Sequence, residues 1–221
     1  QQSSLASLAE RYQTIMQDIG ALGQPPRPLP VVIAACKHQP LQAIKDAYDA
    51  GIRHFGENRQ QDMLEHWQDR RTLYPDVTVH FIGQIQSKKL PSIVQYCDVI
   101  HTLDRVKLVE QLAVLRDEKK AKLPRLLVQV NLGGESQKGG ILKETLPYFL
   151  KVCQDYGLMI EGLMTLPPVE ENPAPFFQTL ATLAKVHNLP HLSMGMSEDY
   201  PAAIAAGSTM IRLGRVLFAQ R

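Results

Sequence analysis

Val31-Val32-Ile33-Ala34-Ala35-Cys36-Lys37, followed by Pro40-Leu41-Gln42-Ala43-Ile44-Lys45-Asp46-Ala47-Tyr48-Asp49-Ala50-Gly51, is one strand–loop–helix unit. The apolar run predicts a buried-type strand that stops at Lys37. Pro40 sits near the start of the helix and Gly51 at its end, with Leu41, Ile44 and Ala47 on one face. Worked outward, the unit recurs. A leading helix is expected from Leu5 to Ile19. Later strands are expected over Ile52–Phe55, Val77–Ile82, Asp98–His101, Arg125–Val130, Ile160–Met164, His191–Ser193 and Thr209–Leu213. Between them fall a helix from about Arg59 to Asp69, carrying Met63, Leu64 and Trp67, and a segment from Ser87 to Tyr96. Asp104 is placed to cap a helix with Val106, Val109 and Leu112, and another helix runs from about Leu142 to Asp155. Asn172-Pro173 opens one with Phe176, Leu180 and Leu183; Asp199 is placed to cap the last, with Pro201 in its first turn.

Eight strands alternating with helices predict a parallel sheet with helical crossovers. In 221 residues they favour a closed (β/α)8 TIM-type barrel over an open doubly wound sheet. No GxGxxG follows the first strand, which argues further against a dinucleotide fold.

At 44% hydrophobic the chain can bury a full core, and one domain spanning residues 1–221 is the simplest reading. The formal net charge of +2, with both signs scattered, argues against nucleic acid or an acidic membrane as partner. Cys36, Cys97 and Cys153 are odd in number and widely spaced, which fits a reduced cytoplasmic protein better than a disulfide framework or a zinc site. Gln1-Gln2-Ser3-Ser4 is polar and no apolar run approaches membrane-spanning length, so neither signal nor anchor is expected. The absence of an initiator methionine suggests trimming.

The barrel places its unusual polar residues together, because sites in such barrels form at the C-terminal strand ends, with phosphate often held after strands seven and eight. Lys37 follows the first strand, Gly56-Glu57-Asn58 the second, Gly83-Gln84 the third and Asn131 the fifth. Met164 ends the sixth, Ser193-Met194-Gly195-Met196-Ser197 follow the seventh, and Arg212-Leu213-Gly214 end the eighth. Small residues let backbone amides approach a phosphate closely, and a strand-end lysine can reach a carbonyl. A phosphate pocket beside an amine nucleophile points to pyridoxal phosphate held as a Schiff base.

Each residue also has a plainer reading. Lys37 alone could be a lysine reaching solvent. Asn58 could cap the helix that starts at Arg59, and Ser193, Gly195 and Ser197 could be ordinary loop residues. Arg212 lies in an apolar strand and needs an acceptor, so a structural ion pair competes with a ligand role. His54, His80 and His101 match no metal spacing and read as hydrogen-bonded structural histidines. Lys88-Lys89 reads as a solvated helix start. The cysteines read as packing residues, with Cys36 adjacent to Lys37 and so a candidate to line the pocket.

The chain resembles the pyridoxal phosphate homeostasis protein family, small barrel proteins similar to the barrel half of alanine racemase. The likeness runs through Ala34, Cys36-Lys37, Ala50-Gly51-Ile52-Arg53-His54-Phe55-Gly56-Glu57-Asn58 and His80-Phe81-Ile82-Gly83-Gln84-Ile85-Gln86-Ser87-Lys88-Lys89. It continues through Asn131, Glu135, Lys138, Gly140, Gly162-Leu163-Met164, Leu192 to Asp199, Ala203-Ile204 and Gly207 to Gly214, collinear over essentially the whole chain. The resemblance implies pyridoxal 5'-phosphate on Lys37, with Asn58 and Met164 near it. It puts Ser193, Gly195, Met196, Ser197, Gly214 and the Arg215 amide around the phosphate and Arg212 against the pyridine nitrogen. Lys88 stands where Asn is usual, Arg215 where a small residue or Thr is usual, and Ala219-Gln220 where Gly normally closes the barrel.

The resemblance further implies a cytoplasmic, monomeric protein that controls the free cofactor and the balance of amino and keto acids. It assigns no catalytic residue and no metal, and it makes pyridoxal-phosphate-dependent apoenzymes candidate partners. Arginine does not protonate the ring nitrogen, which favours a holder over a catalyst. A racemase or decarboxylase of this type would add a β-rich domain, expected to be absent because the chain stops after the eighth strand. A Schiff-base aldolase would want its lysine near Met164-Thr165. A regulatory interaction protein that only carries the cofactor is the third alternative.

Overall fold

The structure is a computed structural model that describes residues 6–219. Among these residues nine strands run in order: β1 (Val31–Ala35), β2 (His54–Glu57), β3 (Thr78–Phe81), β4 (Val99–Leu103), β5 (Arg125–Asn131), β6 (Ile141–Leu142), β7 (Ile160–Met164), β8 (His191–Ser193) and β9 (Met210–Leu213). All pairings are parallel. The order β4-β3-β2-β1-β9-β8-β7-β5 closes on itself through β4–β5, so eight strands form the expected barrel. The short β6 lies outside the ring and pairs with the end of β5, Val130 opposite Ile141.

Nine helices accompany them among the described residues. They are α1 (Leu8–Leu22), α2 (Leu41–Asp49), α3 (Gln60–Trp67), α4 (Leu90–Tyr96), α5 (Val106–Asp117), α6 (Leu146–Asp155), α7 (Ala174–Val186), α8 (Tyr200–Ala205) and α9 (Arg215–Phe218). Side chains alternate across each strand. The outward set, including Ala34, Phe55, Phe81, Val128, Leu163 and Ile211, packs under the helices in one large core. The inward set is different. Ile33, Val99, Leu127 and Met210 form a small apolar plug, and the remaining interior carries His80, His101, Ser193 and Arg212, all buried.

Four helices end alike, and this explains a displaced strand. At α2 the Gly51 N–H donates to the Tyr48 carbonyl and the Ile52 N–H to the Ala47 carbonyl, with Gly51 at φ 107°. That is a Schellman motif, whose following hydrophobe packs back on the helix. Gly157-Leu158, Asn188-Leu189 and Gly207-Ser208 close α6, α7 and α8 with the same pair of bonds. Ile52 therefore belongs to the helix stop, and β2 starts at His54 rather than Ile52. The shift of two residues preserves which side chains face inward.

Other expectations are corrected. The leading helix begins at Leu8 because Ser7 accepts the Glu10 N–H as N-cap; the expected start at Leu5 lies outside the described residues. Asp104 caps nothing: its carboxylate accepts the Gly140 N–H at 2.9 Å and pairs with Arg105. Asp199 and Asn58 make no side-chain cap either. Helix α6 starts at Leu146 instead of Leu142, with Pro147 in its first turn and a 3-10 turn before it. On α7 the buried face is Phe177, Leu180 and Ala184, rotated by one position from the expected set.

Candidate functional site

Strands β1 and β9 are neighbours, with Ala34 opposite Leu213, so the residues beyond their ends share one side of the barrel mouth. Lys37 sits in a tight turn closed by the Gln39 N–H on the Cys36 carbonyl at 3.0 Å, and His38 takes a left-handed φ of 60° to complete it. The Lys37 side chain is exposed at the mouth, whereas Cys36 is fully buried in the outer core. Alternation thus corrects the expectation that Cys36 lines the pocket. Its thiol is pushed well above the ordinary range by burial, reinforced by the Glu57 charge.

Gly214 follows β9 and leads directly into α9, a four-residue helix. The Ser197 hydroxyl accepts the Val216 N–H at 3.3 Å, tying the loop after β8 to the start of that helix. The amides of Ser197, Gly214 and Arg215 donate to no acceptor among the described residues, as expected for a first helical turn and an open loop. At Gly214 an added Cβ would meet only Ala35, at 3.6–3.7 Å, which is ordinary contact. Protein packing does not require a glycine here; the space beside it is open. The Arg215 side chain faces solvent and pairs with Glu198 at 3.1 Å, so only its backbone belongs to this cradle.

Gly195 has another reason to be glycine. Its φ is 103° and a Cβ would lie 2.7 Å from the Ala203 Cβ and 3.2 Å from the Tyr200 Cα. Glycine is demanded there by close packing against α8. The Met196 N–H is taken by Asp199 at 2.7 Å, and its side chain is exposed. Asn58 is half-buried at the end of β2, and its amide hydrogen-bonds to no described residue. Its backbone is packed so closely on Gly83 that a Cβ there would fall 1.9 Å from the Asn58 carbonyl oxygen.

Deeper in the barrel, Arg212 is buried without an ion pair among the described residues. One Nη donates to the Ser193 Oγ and the other to the Thr165 carbonyl at 3.1 Å. The structural ion pair weighed from sequence is therefore not what holds it. Burial lowers its pKa to about 10, with Asp199 opposing the fall, so the guanidinium stays cationic at neutral pH. Ser193 is engaged by Arg212 and by His101, whose Nδ1 lies 2.7 Å away. Its hydroxyl orients the arginine, below the open cradle. Met164 is buried at the end of β7, opposite Ser193 across the β7–β8 pairing.

The three strand histidines are hydrogen-bonded structural groups, as expected, in a pattern that one strand at a time does not reveal. His54 Nδ1 meets His80 Nε2 at 2.9 Å, and His80 Nδ1 meets His101 Nε2 at 2.8 Å. With Ser193 they form one file to Arg212. No group of metal-ligating residues occurs among the described residues. Thr165 was missed in the sequence; its one signal is its place directly after the sixth strand, beside Met164. Asn131 donates to the Glu135 carbonyl at 2.7 Å, and Lys138 is pinned by Glu135 and the Pro167 carbonyl, so both shape the β5–β6 loop. Lys88 is exposed in a 3-10 turn before α4, the solvated helix start expected.

The alanine racemase N-terminal domain model matches residues 3–221. A pyridoxal phosphate homeostasis protein of Aquifex aeolicus is 37% identical over 203 residues, covering 86% of each chain. One of Escherichia coli is 37% identical over 204 residues, covering 86% of this chain and 85% of its own. The chain belongs to the pyridoxal phosphate homeostasis protein family. Among solved structures, PipY of Synechococcus elongatus without pyridoxal phosphate has a TM-score of 0.85 and 34% identity, over 96% of this chain and 100% of that one. The structure of PipY with pyridoxal phosphate bound has a TM-score of 0.78. Alanine racemase from Corynebacterium glutamicum, at 14% identity and a TM-score of 0.69, shares the fold. No helix among the described residues is long and apolar enough to cross a membrane.

Proposed function

We propose that this chain, as a single domain, binds pyridoxal 5'-phosphate at the barrel mouth through a Schiff-base linkage to Lys37. Its role is to balance the cytoplasmic cofactor, and with it amino and keto acids, rather than to turn over a substrate. The carrying observation is the cradle beside the end of β1. Ser197, Gly214 and Arg215 leave amides without acceptors among the described residues, and Gly214 leaves unfilled a space that a side chain could occupy. That donor set suits a phosphate dianion, which takes several charge-assisted hydrogen bonds from backbone amides. Lys37 lies on the adjacent strand end, where an amine can reach an aldehyde. The structure of PipY with pyridoxal phosphate bound, at 34% identity, supports the reading.

When bound, pyridoxal phosphate supplies an aldehyde for amines and a ring that draws electrons once its nitrogen is protonated. Arg212 is the residue that would face that nitrogen. Held by Ser193 and the Thr165 carbonyl, and still cationic at neutral pH, it can donate a hydrogen bond but does not give up a proton there. Asn58 keeps an amide available at the rim. Pyridoxal-phosphate-dependent apoenzymes are the partners this role calls for, and a monomer suffices for it.

Borohydride reduction of the protein mixed with pyridoxal phosphate, followed by peptide mass analysis, should place the pyridoxyl group on Lys37. Lys37→Ala should be colourless with an unchanged unfolding midpoint. Label on Lys88, Lys89 or Lys138 would overturn the assignment. Racemisation and decarboxylation of the common amino acids should stay at trace level, because lost acid–base catalysis alone costs about 10²–10⁴ in rate. Robust turnover that disappears in Lys37→Ala would make the chain an enzyme instead.

A further inference from the structure

At the opposite end of the barrel, where the strands begin, lies a cavity of about 560 Å³. Arg27, Arg125, His54, His80 and His191 line it, together with apolar side chains that include Leu29 and Met210, and no Asp or Glu is among its lining residues. A cavity of this size, mostly apolar with a few convergent polar groups, has the form of a small-molecule site. Its charge selects the ligand. Arg125 meets Glu161 through Nε at 2.6 Å and approaches His191 with one Nη at 3.4 Å. Arg27 bonds Gln24 and passes over Gly207, where a Cβ would come within 2.9 Å of its guanidinium. Two arginines against one flanking carboxylate leave the cavity positive.

We propose that this cavity is a second ligand site, for a small carboxylate on an apolar body, and that the histidine file reports its occupancy to Arg212.

The file has a direction that hydrogen-bonding capacity selects. Arg212 only donates, so it fills a lone pair of Ser193 Oγ. The Ser193 proton then has His101 Nδ1 as its acceptor, at 2.7 Å. His101 must carry its own proton on Nε2 and donate to His80 Nδ1; His80 in turn donates through Nε2 to His54 Nδ1. His54 is left with an Nε2–H that meets no described residue and lines the cavity. All three imidazoles are neutral in this arrangement. Burial first, and the Arg125 charge as well, hold His54, His80 and His101 below the ordinary histidine pKa, in keeping with that state. The dipoles then run with their N–H ends away from the buried guanidinium. A carboxylate that accepts the His54 Nε2–H and pairs with Arg125 strengthens each bond behind it, because bonds in a chain polarise one another. His101 and Ser193 would feel the ligand without touching it.

The test uses the full chain labelled with ¹⁵N, prepared without cofactor, so that it stands or falls separately from the reading of the mouth. Hexanoate is the probe and hexanamide its neutral isostere. Hexanoate should shift the imidazole nitrogens of His54, His80 and His101 saturably and together, with hexanamide weaker by about tenfold or more. Arg125→Gln should weaken hexanoate by a similar factor. Leu29→Asp, a change at a half-exposed position, should do the same by placing a carboxylate at the cavity. Shifts that fail to saturate, or that survive in both variants, would overturn the site. A saturable shift at His54 with His101 unmoved would overturn the link to Arg212.

Discussion

Replacing Gly214 by valine separates the phosphate cradle from the fold that carries it. Gly214 has φ −114° and ψ −75°, so its backbone needs no glycine. A Cβ placed there would touch only Ala35 at 3.6–3.7 Å. Stability should therefore stay within about 0.5 kcal/mol of the parent, as for substitutions away from the core. The added methyls would instead crowd the close approach of a phosphate to the Gly214 and Arg215 amides, which donate to no acceptor among the described residues. Each charge-assisted bond to phosphate is worth roughly 1.5–3 kcal/mol. Losing two would cost about 3–6 kcal/mol, which is roughly 10²–10⁴ in affinity. Absorbance titration with pyridoxal phosphate, and in parallel with pyridoxal, reads the effect directly. The valine variant should bind pyridoxal nearly as the parent does and lose its preference for the phosphorylated form. Undiminished affinity for pyridoxal phosphate in a folded variant would refute the cradle, and an equal loss for both compounds would place the phosphate elsewhere.

Gly195→Ala should show the reverse pattern, losing about 1–3 kcal/mol of stability in urea unfolding, because φ 103° and a contact at 2.7 Å oppose any side chain. Ser193→Ala removes an acceptor from a buried guanidinium and a partner from His101; unfolding should register a loss of about 1–3 kcal/mol. The buried pair of Glu57 and His66 should make stability depend on pH. Burial depresses His66, but the Glu57 hydrogen bond and charge, with the Gln39 carbonyl, carry its pKa above 6.5. A raised folded-state pKa stabilises fully below 6.5 and loses that contribution as pH rises through the folded value. Burial likewise raises Glu57 above 4.5, opposed by its bonds to His66 and Trp67, and this acts with the same sign. Urea midpoints should fall in the parent as pH rises from about 6.5. In Glu57→Gln, where burial is opposed only by the Gln39 carbonyl and the Asp62 charge, that fall should shrink; an unchanged slope would assign it to other groups.

The barrel and the end of it that carries the cradle were legible because both follow from local patterns. Apolar runs alternate with amphipathic helices eight times, and in any such barrel the residues after each run share one mouth. Lys37, Asn58, Ser197, Arg212 and Gly214 could be placed there from that rule and from the family resemblance. Local pattern also misled in a consistent way. Ile52 is apolar and precedes a strand, yet it completes a helix stop, and Asp104 looks like a cap but binds the Gly140 amide instead. What the chain's own periodicity determines is which side of a strand or helix a residue occupies. It does not determine which residues of neighbouring strands come level. That register is set by closure of the ring, which brings His54, His80, His101, Ser193 and Arg212 from five strands into one file. Packing likewise distinguishes two glycines, Gly195 required by the neighbouring helix and Gly214 with room for a side chain. The cavity where the strands begin belongs to the same category, since its arginines and histidines are separated along the chain and meet only because the sheet returns to its first strand.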